Sequence, residues 1–254
     1  MITNLYFKSK LSALPFVPTD IAGCQLWLKA DAGITKDGSN YVSQWADQSG
    51  NNNHAVQATG IAQPLWVDDE LNGMPVIRFD GNSDWLSGTI INNINTSSLS
   101  LFIVANGGNV SDGQGSAFFG INVYPSWLFV GRNTVPTEQN LTITQIAYIG
   151  VYGLATARNS YPNTGFSHLL IEGIKSYNNY FKGYVNGSLY DTKTNAENIG
   201  TFTNDNYYIS KNSQPDYLQF HKGDIVEVII YTELLTDSER QLVENYINTK
   251  YALW

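Results

Sequence analysis

In QWADQSGNNNH, residues 44–54, Asp47, Ser49, Asn51 and Asn53 fall at alternate positions, the spacing at which an EF-hand loop offers its first oxygens to calcium. The match ends there. Asn52 stands where the sharp turn needs glycine, and Ala58 stands where the bidentate glutamate belongs. A single carboxylate makes a weak cation site, so the stretch reads first as a tight turn. Its Ser, Gly and Asn side chains would bond their own backbone while Trp45 anchors it in a core. Calcium bound with help from Asp80 or Asp84 is the second reading, and direct contact with a glycan is the third.

Hydrolysis of a glycosidic bond needs two carboxylates at a set separation across one cleft. Asp68, Asp69 and Glu70 are consecutive, which splits them between the faces of a strand; Asp224 and Glu227 are three apart, which predicts that they face oppositely. Hydrolysis is therefore disfavoured. His54, His168 and His221 show no pair at i,i+4, and Cys24 is the only cysteine, so neither a zinc site nor an internal disulfide is supported. Cys24 precedes the apolar run QLWLKA and is expected to be buried as a small hydrophobe.

Aromatic rings among neutral amides and hydroxyls suit a different chemistry. A sugar shows C–H patches on its faces and hydroxyls at its edges, so a ring bordered by hydrogen-bonding side chains can hold it. The candidates are Tyr124 and Trp127 in NVYPSWLF, Tyr177, Asn178, Asn179 and Tyr180 in KSYNNYF, Tyr207 in NDNYY, and Tyr217 in SQPDYLQFH. Trp27, Trp45, Trp66 and Trp85 are expected to fill the core.

Positioning such loops falls to strands. Short apolar runs, several alternating with period two, predict strands at 25–30, 74–81, 99–107, 116–123, 126–132, 143–153, 167–175, 180–192, 206–212 and 224–233. Asn186–Gly187 tolerates the positive φ angles of a type I′ hairpin turn. One helix is predicted at the C-terminus, where Thr236 and Glu239 form a capping box and Leu242, Val243, Tyr246 and Ile247 recur at helical spacing. Many strands and one late helix predict an all-β, two-sheet antiparallel sandwich over residues 21–254, preceded by an extended arm over 1–20.

Charge narrows the partners. Only 14% of the 254 residues are charged, and 14 Lys and Arg against 22 Asp and Glu leave a formal charge of −8, which repels a phosphate backbone. Nucleic acid is excluded as an expected partner. No apolar run approaches the roughly 20 residues that cross a bilayer, and the N-terminal segment is a poor export signal.

CQLWLKADAGI, VSQWADQSGNNNHAVQ, QPLWVDDELNGMPVIRFDG, FKGYVNGSLYDT and the closing GDIVEVIIYTELLTDSERQLVENYINTKYAL resemble laminin G-like jelly rolls of the concanavalin A-like lectin/glucanase superfamily, across about residues 22–253. The resemblance implies two packed sheets with Greek-key connections, in a module that binds glycans or mediates adhesion outside the cell. Calcium is a cofactor in some such relatives. The Glu-x-Asp-x-Glu strand of the superfamily's glucanases is absent here. Two functions follow as expectations: a non-catalytic carbohydrate-binding or surface-adhesion module, or a structural protein on the surface of a bacteriophage virion, anchored through residues 1–20. Weak single sites would favour homo-oligomers.

Overall fold

The computed structural model describes the backbone of residues 15–90, 94–95, 98–106, 116–123, 126–135, 138–149, 151–159, 168–176, 180–194, 201–202, 205–211 and 220–254, with the backbone alone in the strands from 122 to 159 and at a few other strand positions. In chain order the strands begin with β1 (Cys24–Lys29), β2 (Ile34–Lys36), β3 (Val42–Trp45), β4 (Ala55–Val56), β5 (Leu65–Leu71), β6 (Met74–Asp80) and β7 (Leu86–Ile90). They continue with β8 (Ile94–Asn95), β9 (Ser98–Asn106), β10 (Ser116–Val123), β11 (Ser126–Val135), β12 (Glu138–Ile149) and β13 (Val151–Asn159). The last are β14 (His168–Ser176), β15 (Tyr180–Val185), β16 (Ser188–Thr194), β17 (Thr201–Phe202), β18 (Asp205–Ile209) and β19 (Lys222–Tyr231), followed by the helix α1 (Asp237–Tyr251).

These form an eight-stranded sheet, ordered β16-β15-β14-β9-β19-β6-β5 with β1 also on β19, a nine-stranded sheet, ordered β13-β12-β11-β10-β18-β7-β4-β3-β2, and a separate pair, β17-β8. The two-sheet antiparallel sandwich with one C-terminal helix is therefore the fold. β2, β3, β4, β5, β7, β8 and β17 add to the predicted strands, and the run at 143–153, read as one strand, is divided about position 150 between the paired β12 and β13.

β19 organises the first sheet. β9 pairs along one edge, while β6 takes its first half and β1 its second half on the other. Every residue from Asp224 to Tyr231 is buried, because α1 covers the outer face and the second sheet covers the inner one. A strand covered on both faces reads as a near-continuous apolar run, as DIVEVIIY does. Inside the sandwich Trp45 is fully buried, and Phe119 stacks on Tyr207 with centroids 5.6 Å apart.

The predicted turn and cap both form. Asn186 and Gly187 have φ of 48° and 71°, and the Asn186 side chain accepts the Leu170 N–H at 2.9 Å. Thr236 Oγ1 accepts the Glu239 N–H at 3.2 Å while the Glu239 carboxylate accepts the Thr236 N–H at 2.8 Å. The buried stripe of the helix differs from expectation. Leu242 is exposed, and Arg240, Val243, Glu244, Ile247 and Tyr251 are buried, so an ion pair is part of the buried face. The described end of the predicted arm packs on the domain: Phe16 meets Tyr246 edge-on, and Tyr231 donates to the Pro18 carbonyl at 2.9 Å. Residues 1–14 lie outside the described residues.

Two buried glutamates hold the helix. Glu227 accepts from Trp27 Nε1 at 2.6 Å, Tyr246 OH at 2.9 Å, Tyr251 OH at 2.5 Å and Lys250 Nζ at 3.0 Å. Burial and then its charge push both tyrosines well above the ordinary phenol value, so they remain donors. Glu172 is buried 3.9 Å from Arg240 Nη1 and accepts the Gly187 N–H at 3.3 Å. Burial, then the neighbouring Glu244 carboxylate, raise its proton affinity well above the usual carboxylate range. Glu227→Ala strands four donors and is expected to lower the unfolding free energy by about 3–5 kcal/mol in urea titrations. The stability tied to protonated Glu172 is complete below the ordinary glutamate value and is lost as pH rises through its raised folded value. Glu172→Gln, an isostere of the protonated form, should therefore stabilise the protein at pH 8 and change little at pH 4.

Candidate functional site

The sharpest departure from the sequence reading lies in β19. Its pairing with β9 shifts register between Ile225 and Glu227, a bulge that re-phases the strand. Asp224 and Glu227, expected to face oppositely, both point to the outer face: Asp224 bonds Asn106, and Glu227 pairs with Val104, the next outward residue of β9. Beyond the end of the helix this face opens into a groove of about 780 Å³, within the roughly 300–1,000 Å³ of ligand pockets. Register explains its lining. Arg78 lies opposite Asp224, Asp80 opposite Lys222, and Asn106 opposite His168, so four strands bring these groups to one surface. Tyr41, Leu65 and Asp84 complete the rim.

Asp224 is the floor. Its Oδ1 accepts Arg78 Nε at 2.7 Å, and its Oδ2 accepts Arg78 Nη2 and Asn106 Nδ2, each at 3.0 Å. Its own N–H donates to Asn106 Oδ1 at 2.6 Å. Burial alone would raise the Asp224 pKa, but His168 and the Arg78 guanidinium outweigh it and hold the carboxyl near about 2. Arg78 also reaches Glu70 at 2.8 Å, which leaves its Nη1 without a partner among the described residues. His168 Nε2 lies 3.4 Å from Asp224 Oδ2, and although that atom is buried it has no aligned hydrogen-bond partner.

The far wall is the turn DGNSDW. Asp80 Oδ1 accepts the N–H groups of Asn82, Ser83 and Asp84 at 2.8–3.0 Å, and Oδ2 accepts the Ser83 hydroxyl at 3.0 Å. Against the cost of burial, these bonds keep the Asp80 pKa low. Among the described residues Asp84 accepts only the Asp80 N–H, at 3.1 Å; burial, then the Asp80 charge, raise its pKa to about 6. Gly81, at φ 78°, passes so close to Lys222 that a Cβ would sit 2.5 Å from the lysine Cβ.

Asp47 is the anchor of a turn. Its carboxylate accepts the N–H groups of Trp27, Ser49 and Asn53 and the Ser49 hydroxyl, at 2.7–3.0 Å. Asn51 and Asn53 donate to the carbonyls of Cys24 and Gln25. Among the described residues no group of three His, Cys, Asp or Glu converges as a metal site. Cys24 is buried, with its thiol pushed up to about 12 by burial and then by Asp47.

Tyr124, Tyr177, Asn178, Asn179 and Tyr217 lie outside the described residues, as does the side chain of Trp127, whose backbone pairs with Asn122 in β10. Tyr207 is corrected. It is fully buried and donates to the Asn53 carbonyl at 2.7 Å, and its neighbour Tyr208 is the outward ring. Trp85 is corrected too: it stands half-buried beside Tyr208, outside the core. The groove itself was missed because its contacts join residues 118 and 146 positions apart. One signal was present, since Asp224 and Glu227 inside an apolar run must find partners once buried.

Asp224 adds stability that is present above its unfolded value near 3.8 and is lost as pH falls toward about 2. The stability difference between wild type and Asp224→Asn, measured by urea unfolding at pH 6, 4, 3 and 2, should shrink by about 2 kcal/mol over that range.

No family model matches the chain, and no curated protein matches it. Solved structures do. The binding domain of Paraclostridial Mosquitocidal Protein 1 superposes with a TM-score of 0.62 at 16% identity, over 91% of this chain and 53% of that one. The binding domain of Botulinum neurotoxin DC, solved in complex with rat synaptotagmin II, gives 0.58 at 17% identity, over 90% and 52%. Domain 4 of AbnA, a GH43 extracellular arabinanase from Geobacillus stearothermophilus solved in complex with arabinotriose, gives 0.58 at 15%, over 86% and 97%. The chain thus spans about half the length of the two toxin binding domains and nearly all of the arabinanase domain, and what it shares with each is the β-sandwich fold.

Proposed function

We propose that the chain is a non-catalytic carbohydrate-binding module of laminin G-like type, used for recognition or adhesion at an extracellular surface, with a neutral sugar in the groove. The observation that carries this reading is the mixture of unused groups there. Arg78 Nη1 and Lys222 offer donors, while Asp84 and Glu70 offer acceptors. A free anion would meet four carboxylates, and a free cation would meet arginine and lysine; a hydroxyl both donates and accepts, and so suits such a site. Tyr41, 45% exposed at the rim, supplies a ring for a C–H face.

Catalysis is disfavoured on geometry. Asp224 is fixed as an acceptor for Arg78 and Asn106, and Glu227 is enclosed beneath the helix by four donors. Neither can present a proton or a nucleophile to a bond in the groove. The likeness to a sugar-bound arabinanase domain and to receptor-binding toxin domains supports a binding role through fold alone. Association entropy leaves one such site weak, so several copies would act together on a polymer.

Calorimetric titration with neutral oligosaccharides selected on a glycan array tests the reading. Tyr41→Ala should weaken binding by about tenfold or more. Affinity should rise with pH through about 6 as Asp84 becomes an acceptor, and Asp84→Asn should abolish that rise. Undiminished binding by Tyr41→Ala would move the ligand out of the groove.

A further inference from the structure

The outer face of the nine-stranded sheet carries a second pair of rings, Trp85 and Tyr208, both half-buried, with Trp85 following Asp84 of the groove rim in the chain. Val56 pairs with Ser87, Ser87 with Tyr208, and Tyr208 with Gly120, while Thr89 pairs with Asn206. Their chain neighbours Ala55, Leu86, Tyr207 and Ile209 are buried, so this row faces away from the core. Trp85 precedes β7 with its ring centroid 6.0 Å from that of Tyr208, the planes inclined by 46°. Thr89 Oγ1 donates to Asn206 Oδ1 at 2.9 Å on the exposed surface, and Val56 and Ile61 stand exposed at the rim.

Lys211 gives this face its charge. Its ammonium lies 4.4 Å above the Trp85 ring and 5.9 Å from that of Tyr208, and among the described residues no carboxylate pairs with it. An ammonium on the face of an indole is weakly held at an exposed site and can turn toward an anion. We propose that this face is a second carbohydrate-binding site, independent of the groove, and that it takes a sugar ring bearing a carboxylate. The C–H face of the ring rests against Trp85 and Tyr208, the carboxylate pairs with Lys211, and remaining hydroxyls meet Ser87, Thr89 and Asn206. Neutral hydrogen-bonding groups around the rings fit a polyol better than an acidic peptide, whose backbone would find no strand edge here, since β7 and β18 are each paired on both sides.

The test titrates the full chain with an oligomer of galacturonic acid, with the matching neutral galactose oligomer, and with a glutamate peptide of equal charge. The acidic oligomer should bind and weaken severalfold as salt rises, since one ion pair is screened. Lys211→Ala should weaken it by about tenfold, Lys211→Arg should retain it, and Tyr41→Ala should leave it unchanged. Equal binding of the neutral oligomer by Tyr41→Ala, equal binding of the peptide, or indifference to both Lys211→Ala and Tyr208→Ala would overturn the proposal. Loss of binding in Tyr41→Ala alone would assign the acidic sugar to the groove, which also overturns it and leaves the groove reading standing.

Discussion

Glu227 holds the outer half of the molecule together. A carboxylate taken out of water is costly unless its lone pairs are met, and here an indole from β1 and two phenols and an ammonium from α1 meet them. The donors come from β1, from the last turns of α1 and, through Lys250, from a helix residue that also reaches Asp31 at 2.8 Å. None of these elements can leave without stranding the charge. The carboxylate therefore fixes where the helix lies on the sheet, and the helix in turn fixes how much of the sheet remains open beyond its end. That open remainder is the groove.

The bulge before Glu227 gives the same strand two tasks. Without it Asp224 would point into the sandwich, where an ionised group has no water and few donors. With it, Asp224 joins Glu227 outside, where Arg78 and Asn106 reach it. Each carboxylate ends as a fixed acceptor, one beneath the helix and one beneath the groove. Fixed acceptors orient neighbouring donors. Arg78 is held at Nε and Nη2 so that Nη1 projects, a pre-set geometry that spares a ligand part of the ordering cost.

Local rules were legible and long-range ones were not. Asn186–Gly187 and the Thr236–Glu239 cap depend on neighbouring residues, and both form as read. A second Asn–Gly pair carried the same signal. Asn72 and Gly73, at φ 51° and 85°, close the β5–β6 hairpin that the apolar pattern alone did not suggest, because DDE interrupts β5. Tyr207 and Tyr208 show how little separates core from surface in a strand: alternation specifies that one is buried, and only the partner strand specifies which. The phase of β19 was likewise invisible, since a bulge shifts facing by one residue and leaves composition unchanged. The groove depended on that phase. Trp85 was read as core because tryptophans generally bury well, but its position beyond the start of β7 places it at the edge of the sandwich.

The polar loops divide by how completely their groups are used. In the 44–54 turn, Asp47 spends its carboxylate on four donors within or beside the turn, and the asparagines spend their amides on β1 carbonyls, so the richest run of hydrogen-bonding side chains faces inward. Asp80 is used up in the same manner, but Asp84, one turn later, accepts a single N–H. The difference is positional. Asp80 ends a strand and must cap the turn that leaves it, whereas Asp84 enters the next strand with its remaining oxygen toward the groove. A saturated carboxylate builds the wall, and an unsaturated one beside it is raised in proton affinity by burial and then by that neighbour's charge. Density of polar residues in the sequence therefore points to turns, and it is the group left without enough partners after the turn closes that marks a surface able to bind.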